Sequence, residues 1–112
     1  MKNTIMLKKS YEFKKVFAKG ICAKGKILNV FARKNNKNFN KIGIAVSKKA
    51  GKSVKRNKIK RLVRENYKVL ENQLKTGYSI IFLWKKNADF ENFDYYIIGE
   101  ECKKLLSKLN IL

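Results

Sequence analysis

IGIAVSKKAGKSVKRNKIKRLVRENY, residues 42–67, changes character twice along its length. Its opening alternates: Ile42, Ile44 and Val46 fall on one side of an extended chain, and Gly43, Ala45 and Ser47 on the other. This is the pattern of a strand, running from Lys41, whose second face is small enough for a helix or a ligand to approach closely. A basic turn, KKAGKSVK, follows. From about Arg56 the apolar spacing becomes helical. At about 100° per residue, Ile59, Leu62, Val63, Tyr67, Leu70 and Leu74 form one stripe, so a helix is predicted from Arg56 to Leu74. Asn57, Lys60, Arg61, Arg64 and Lys68 lie on its opposite flank.

The flanking segments supply the rest of a sheet and its cover. SYEFKKVFAKG predicts a short helix, with Ser10 as its cap and Gly20 ending it in a left-handed conformation. Phe13, Val16 and Phe17 share one face of that helix. KGKILNVFARK reads as a strand with a plain core face, Leu28, Val30 and Ala32. Its other face, Ile27, Asn29, Phe31 and Arg33, mixes an amide, a ring and a cation, which suits a nucleic-acid surface better than a core. NNKNFNK, residues 35–41, is a turn between strands. GYSIIFLWKK is the continuous apolar run of a central strand covered on both faces. The last helix starts at Asp94 as cap and buries Ile98, Cys102, Leu105, Leu106 and Leu109. The predicted order is α-β-β-α-β-α, an α+β fold in one domain spanning residues 1–112.

The charge is uneven. The net charge is +20 and the pI about 10.2. Self-repulsion on that scale implies a polyanionic partner: RNA, DNA or an anionic membrane. No acid occurs between Glu12 and Glu65, and most of the acids lie from Asp89 to Glu101, so one face should be strongly positive. No segment reaches the roughly 18 apolar residues of a membrane span, and Met1 to Leu7 is too short for a signal sequence, so a cytoplasmic chain is expected. Cys22 and Cys102 are far apart and are expected to be buried as small hydrophobes.

Between Lys48 and Asn66 stand nine lysines and arginines and one acid, Glu65. A merely solvated helix face usually interleaves signs, because like charges four apart repel. Only four of the 28 cations are arginines, and three of these, Arg56, Arg61 and Arg64, fall within nine residues. Guanidinium grips a phosphate through two parallel hydrogen bonds and stacks on bases, whereas lysine offers a point charge. The positive helix end at Arg56–Asn57, with Lys52, Lys55 and the amides of Ala50 and Gly51, makes an expected anion site.

KRNKIKRLVRENY, with IGIAVSKKAGKSV before it, resembles the arginine-rich motif of the bacterial ribonuclease P protein subunit, and EFKKVFAKG and ILNVFAR resemble that family's first helix and strand. The resemblance covers almost the whole chain. It implies an α/β sandwich of αβββαβα-like topology, with a left-handed βαβ crossover against the right-handed rule that about 98% of such connections obey. Gly43, Ala45, Gly51 and Ser53 would give that crossover room. It implies two partners, ribonuclease P RNA and precursor tRNA, and removal of the tRNA 5′ leader with magnesium ions held mainly by the RNAs. RNA contacts would come from Lys48, Lys49, Lys52, Lys55, Arg56, Asn57, Lys58, Lys60, Arg61, Arg64 and Lys68. Of these, Arg56, Lys60 and Arg64 would lie nearer the substrate, and Lys58 and Arg61 nearer the catalytic RNA. A cleft formed by Phe13, Phe17, Asn29, Phe31 and Arg33 would take the single-stranded leader, since bases stack on rings with little regard to sequence. The sequence departs from the family pattern at Lys55 and Lys58, where arginine is common, and at Asn29, where an apolar residue often sits.

A nuclease in its own right is disfavoured. The chain has no histidine and its acids do not fall at metal-ligand spacing, so no catalytic or metal-binding residue is expected in it. The alternative is a ribosomal protein or general RNA chaperone, which would bind RNA with the same face and stimulate no cleavage. A DNA-bending protein would need a dimerisation surface that is not evident, and the protein alone is expected to be monomeric. A membrane-surface role would require the apolar stripe that the core needs.

Overall fold

A computed structural model describes residues 3–86, 88 and 94–112. Five strands and three helices are present: β1 (Thr4–Met6), α1 (Ser10–Lys19), β2 (Ile21–Lys24), β3 (Leu28–Lys34), β4 (Asn40–Val46), α2 (Ser53–Leu70), β5 (Tyr78–Trp84) and α3 (Tyr95–Lys108). One mixed sheet runs in the order β1-β4-β5-β3-β2. β4 is parallel to both β1 and β5, while β3 is antiparallel to β5 and β2. The fold is α+β in a single small domain, and β4, α2 and β5 form its parallel βαβ unit.

The predicted order holds, with two short strands added at the sheet edges. β5 is central and buried along most of its length, as its unbroken apolar run requires. α2 begins at Ser53, three residues earlier than predicted, and gives way after Leu70 to a 3-10 turn, Glu71–Gln73. Asp94 caps α3 by accepting a hydrogen bond from the Ile97 amide at 3.0 Å.

α2 and α3 cover one sheet face. Leu28, Val30, Ala32, Ile42, Ile80 and Phe82 meet Ile59, Val63, Tyr67, Ile98 and Leu106 there in the main core. Cys102 is buried in it, and burial, with the adjacent Glu101 carboxylate, pushes its thiol up to about 12. A polar network closes one end of this layer. The Tyr67 hydroxyl bonds Thr4 Oγ1 at 2.6 Å, and Asn40 Nδ2 donates to the Lys75 carbonyl at 3.0 Å while its Oδ1 accepts from the Tyr78 amide at 2.9 Å. These bonds tie β1 to the far end of α2.

α1 crosses the other face alone. Val16 packs with Leu7 and Ile81, and Phe13, Phe31 and Ala45 pack around them. A Cβ on Gly43 would lie 2.6 Å from the Phe13 ring, so the small residues of β4 make room for α1 rather than for α2.

Four local expectations are corrected. Ser10 is the first helical residue of α1 and makes no side-chain cap; Lys9 holds the cap position. Gly20 is extended, at φ −82° and ψ 167°; glycine is needed because a Cβ would meet the carbonyl oxygens of Val16 and Ala32 at 2.5 and 2.7 Å. Ile27 lies in the turn before β3, where the alternation no longer holds, and it is buried in the main core instead of on the mixed face. Cys22 is exposed on the edge strand β2, beside Phe31, because α1 does not reach over it.

Candidate nucleic-acid interface

The side of the sheet under α1 is built in rows. Lys41, Ser79 and Arg33 form one row across β4, β5 and β3. Gly43, Ile81, Phe31 and Cys22 form the next. Ala45, Leu83, Asn29 and Lys24 form the third. α1 lies over the middle row through Phe13 and Val16. Phe17, one turn beyond Phe13, meets Phe31 edge to face with ring centroids 4.9 Å apart. It remains 38% exposed, so this aromatic pair is a wall open to solvent rather than part of the core.

Beyond that wall the third row is uncovered. It leads into an open hollow of about 530 Å³ lined by Lys26, Asn29, Ser47, Leu83, Lys85 and Lys86. Asn29 is half-buried there; its Oδ1 accepts a hydrogen bond from the Gly25 amide at 3.2 Å. Lys26, Leu83 and Lys85 belong to this basin, and the sequence marks them only by position, beside Asn29 and at the end of the central strand.

α2 starts one short turn after Ser47, so the basic helix adjoins the hollow. The turn Lys48–Ala50 is a 3-10 helix in which the amides of Ala50 and Gly51 donate to the carbonyls of Ser47 and Lys48. They are therefore spent inside the turn, contrary to the expectation that they face an anion, and the start of α2 carries no side-chain cap. Gly51, at φ 141°, allows the chain to reverse there.

The cations of α2 fall in two lines. Arg56, Lys60 and Arg64, spaced four apart, are half-buried along one border of the apolar stripe. Asn57, Arg61 and Lys68 stand exposed on the crest, and Lys58 is exposed toward the other border, near half-buried Lys55. Lys48, Lys49 and Lys52 are exposed in the turn before the helix. The Nε of Arg56 is shielded from solvent and meets no acceptor among the described residues. Among the described residues, none of Arg33, Arg56, Arg61 and Arg64 forms a salt bridge; Lys41 and Glu12 do, at 3.0 Å.

Most acids lie away from this surface. Glu100 and Glu101 are on α3, Asp94 caps it, and buried Glu71 accepts from the Asn3 amide at 3.2 Å beyond the far end of α2. Asp89 and Glu91 lie outside the described residues. No three His, Cys, Asp or Glu side chains cluster to hold a metal among the described residues, and no described helix is long and apolar enough to cross a membrane.

Four of the five predicted cleft residues come together: Phe13, Phe17, Phe31 and, next to them, Asn29. Arg33 does not join them. It sits on the opposite side of α1, in a pocket with Tyr11, Glu12, Lys15 and Lys41.

The fold is a mixed α+β sheet with one face sealed by two helices and the other crossed by α1, in a strongly basic chain whose arginines form no salt bridge among the described residues. The sequence profile of the ribonuclease P family matches residues 1–110. The chain is 38% identical over 104 residues to the ribonuclease P protein component of Thermoanaerobacter sp. (strain X514), covering 93% of this chain and 88% of that one. It is 39% identical over 112 residues to that of Alkaliphilus metalliredigens (strain QYMF), covering 100% and 99%. The RNase P protein from Thermotoga maritima superposes with a TM-score of 0.85 at 30% identity, covering 92% of this chain and 96% of that one. The Staphylococcus aureus RNase P protein gives 0.85 at 29% identity, covering 95% of each. The chain belongs to the ribonuclease P protein component family.

Proposed function

We propose that this chain is the protein subunit of a cytoplasmic ribonuclease P. It binds the catalytic RNA and the 5′ leader of precursor tRNA, and so assists magnesium-dependent endonucleolytic release of the leader. The observation that carries this reading is that Arg56, Arg61 and Arg64 of α2 form no salt bridge among the described residues, while α2 starts one short turn after Ser47, which lines the hollow next to the Phe17–Phe31 wall. The crest residues Arg61 and Lys68, with Lys58, neutralise phosphates of the catalytic RNA, and the Asn57 amide donates a hydrogen bond to them. Arg56, Lys60 and Arg64, with the start of α2, serve the RNA closer to the sheet. The leader lies across Phe17, Phe31 and the third sheet row, where its bases stack and its phosphates meet Lys26, Lys85 and Lys86.

The chain's own donors do not fit a catalytic metal among the described residues, since its acids are dispersed. Magnesium held by the RNA partner and substrate would supply the charge stabilisation that leader cleavage needs. The protein's share is positioning and screening, as a monomer within the complex.

The test mixes purified protein with a bacterial ribonuclease P RNA and precursor tRNA at low magnesium and near-physiological salt. Cleavage at the mature 5′ end that depends on the protein is the expected result. Tight RNA binding with no stimulation of cleavage would assign the chain to general RNA binding or chaperoning instead.

A further inference from the structure

The leader path uses one flank of α1. The other flank, where Tyr11, Glu12 and Lys15 project, borders a separate pocket of about 210 Å³. Its floor is the sheet row Lys41–Ser79–Arg33, and Lys15 and Lys34 stand at its rim. Four cations therefore converge on a space of several water volumes, at roughly 30 Å³ per water. Arg33 is half-buried there without a carboxylate partner among the described residues, so its donors are uncommitted. Ser79 is buried beneath it, with its hydroxyl receiving a hydrogen bond from Asn35 Nδ2 at 3.4 Å. Glu12 is the only acid in the first 64 residues, and it bonds Lys41 at 3.0 Å.

That placement is the informative point. A chain that excludes acids from this whole stretch has kept one where four cations meet, and that acid occupies one of them. Arg33 is also the single arginine outside α2. A site for an anion gripped by the planar guanidinium through two parallel hydrogen bonds explains both facts, since lysine would serve as well for diffuse attraction.

We propose that this pocket is a second RNA phosphodiester site, divided from the leader trough by α1. Arg33 grips the phosphate through two parallel hydrogen bonds, and Lys15 and Lys34 neutralise it. Glu12 attenuates the site by engaging Lys41. RNA then straddles α1, contacting both of its flanks. The inference rests on the RNA-binding reading but not on the path of the leader.

The test compares wild type with Arg33→Ala, Arg33→Lys and Glu12→Gln. Two titrations across salt concentrations are measured: protein with the ribonuclease P RNA of the same organism, and holoenzyme with precursor tRNAs of short and long leader. Arg33→Ala should lose about tenfold in affinity, the size of one charged contact. It should also lower the salt slope by about 0.7 to 0.9. Arg33→Lys should recover the slope but only part of the affinity. Glu12→Gln should gain roughly twofold to fivefold, the worth of one exposed ion pair. A loss confined to long leaders assigns the phosphate to the substrate; a loss with the catalytic RNA alone assigns it there. Unchanged affinity and slope for Arg33→Ala with both RNAs overturns the proposal. Phe17→Ala in the same assays separates the two readings: if Phe17→Ala weakens leader binding while Arg33→Ala changes binding of neither RNA, the trough stands and this pocket falls.

Discussion

The two faces of this sheet are made from the same strands and are finished differently. Along β3, Leu28, Val30 and Ala32 vanish beneath α2 and α3, while Asn29, Phe31 and Arg33, one residue out of phase, stay partly open. The sealed face buries a continuous core from Ala23 to Ile111. On the open face, Leu7, Val16 and Ile81 form the small buried cluster, and cations and half-covered rings surround it. Alternation thus lets one strand carry stability on one side and the proposed recognition surface on the other. Changes on the two faces should therefore register in different assays.

The largest contrast is between two phenylalanines. Phe82→Ala, on the sealed face at 1% exposure, should cost about 3–5 kcal/mol in denaturant unfolding. Phe17→Ala should cost about 1 kcal/mol, since its ring is already partly solvated, yet it should impair leader-bearing substrate more than mature tRNA. Equal stability losses would erase the distinction between the faces. Next in size is Gly43→Ala, which forces a methyl against Phe13 and should destabilise by about 1–3 kcal/mol. Pairing it with Phe13→Leu should restore part of that loss, which would place the strain at the α1 contact.

Arg64→Ala should leave unfolding within about 0.5 kcal/mol of wild type. It should weaken RNA binding and lower its salt slope by about one. The smallest effect concerns Glu12. The hydrogen bond from Lys41 leads the causes that hold its carboxyl below its ordinary value, outweighing partial burial. A depressed folded-state value means that the pair stabilises the protein above the unfolded-state value, and that this contribution fades as pH falls through the folded one. The melting-temperature gap between wild type and Glu12→Gln should therefore narrow as pH is lowered from 6 to 3.

Elements with strong periodicity were readable from residues alone. The α2 stripe, the α3 stripe with its Asp94 cap, and the unbroken run of β5 each carry their structure locally. β1 and β2 do not. Three or four residues show no period, and both exist because a distant strand offers hydrogen bonds. The site was readable by residue type but not by arrangement. Phe31 and Arg33 alternate correctly onto one face, but the line along which α1 crosses that face is set by Gly43 under Phe13, a tertiary contact. That crossing parts Arg33 from Asn29. Cys22 was misread for the same reason, since its exposure depends on where α1 stops.

Glu101 reaches from α3 past the sheet edge to the turn that bears Lys26. Its carboxylate accepts from the Lys26 amide and from the Ile27 amide at 2.9 Å. The turn is thereby clamped from behind, while the Lys26 side chain lines the hollow in front. An anion entering that hollow meets a lip whose backbone is already ordered, so less conformational entropy is lost on docking. Acid in so basic a chain serves here as an anchor: a carboxylate behind the turn holds in position the backbone that carries a cation in front.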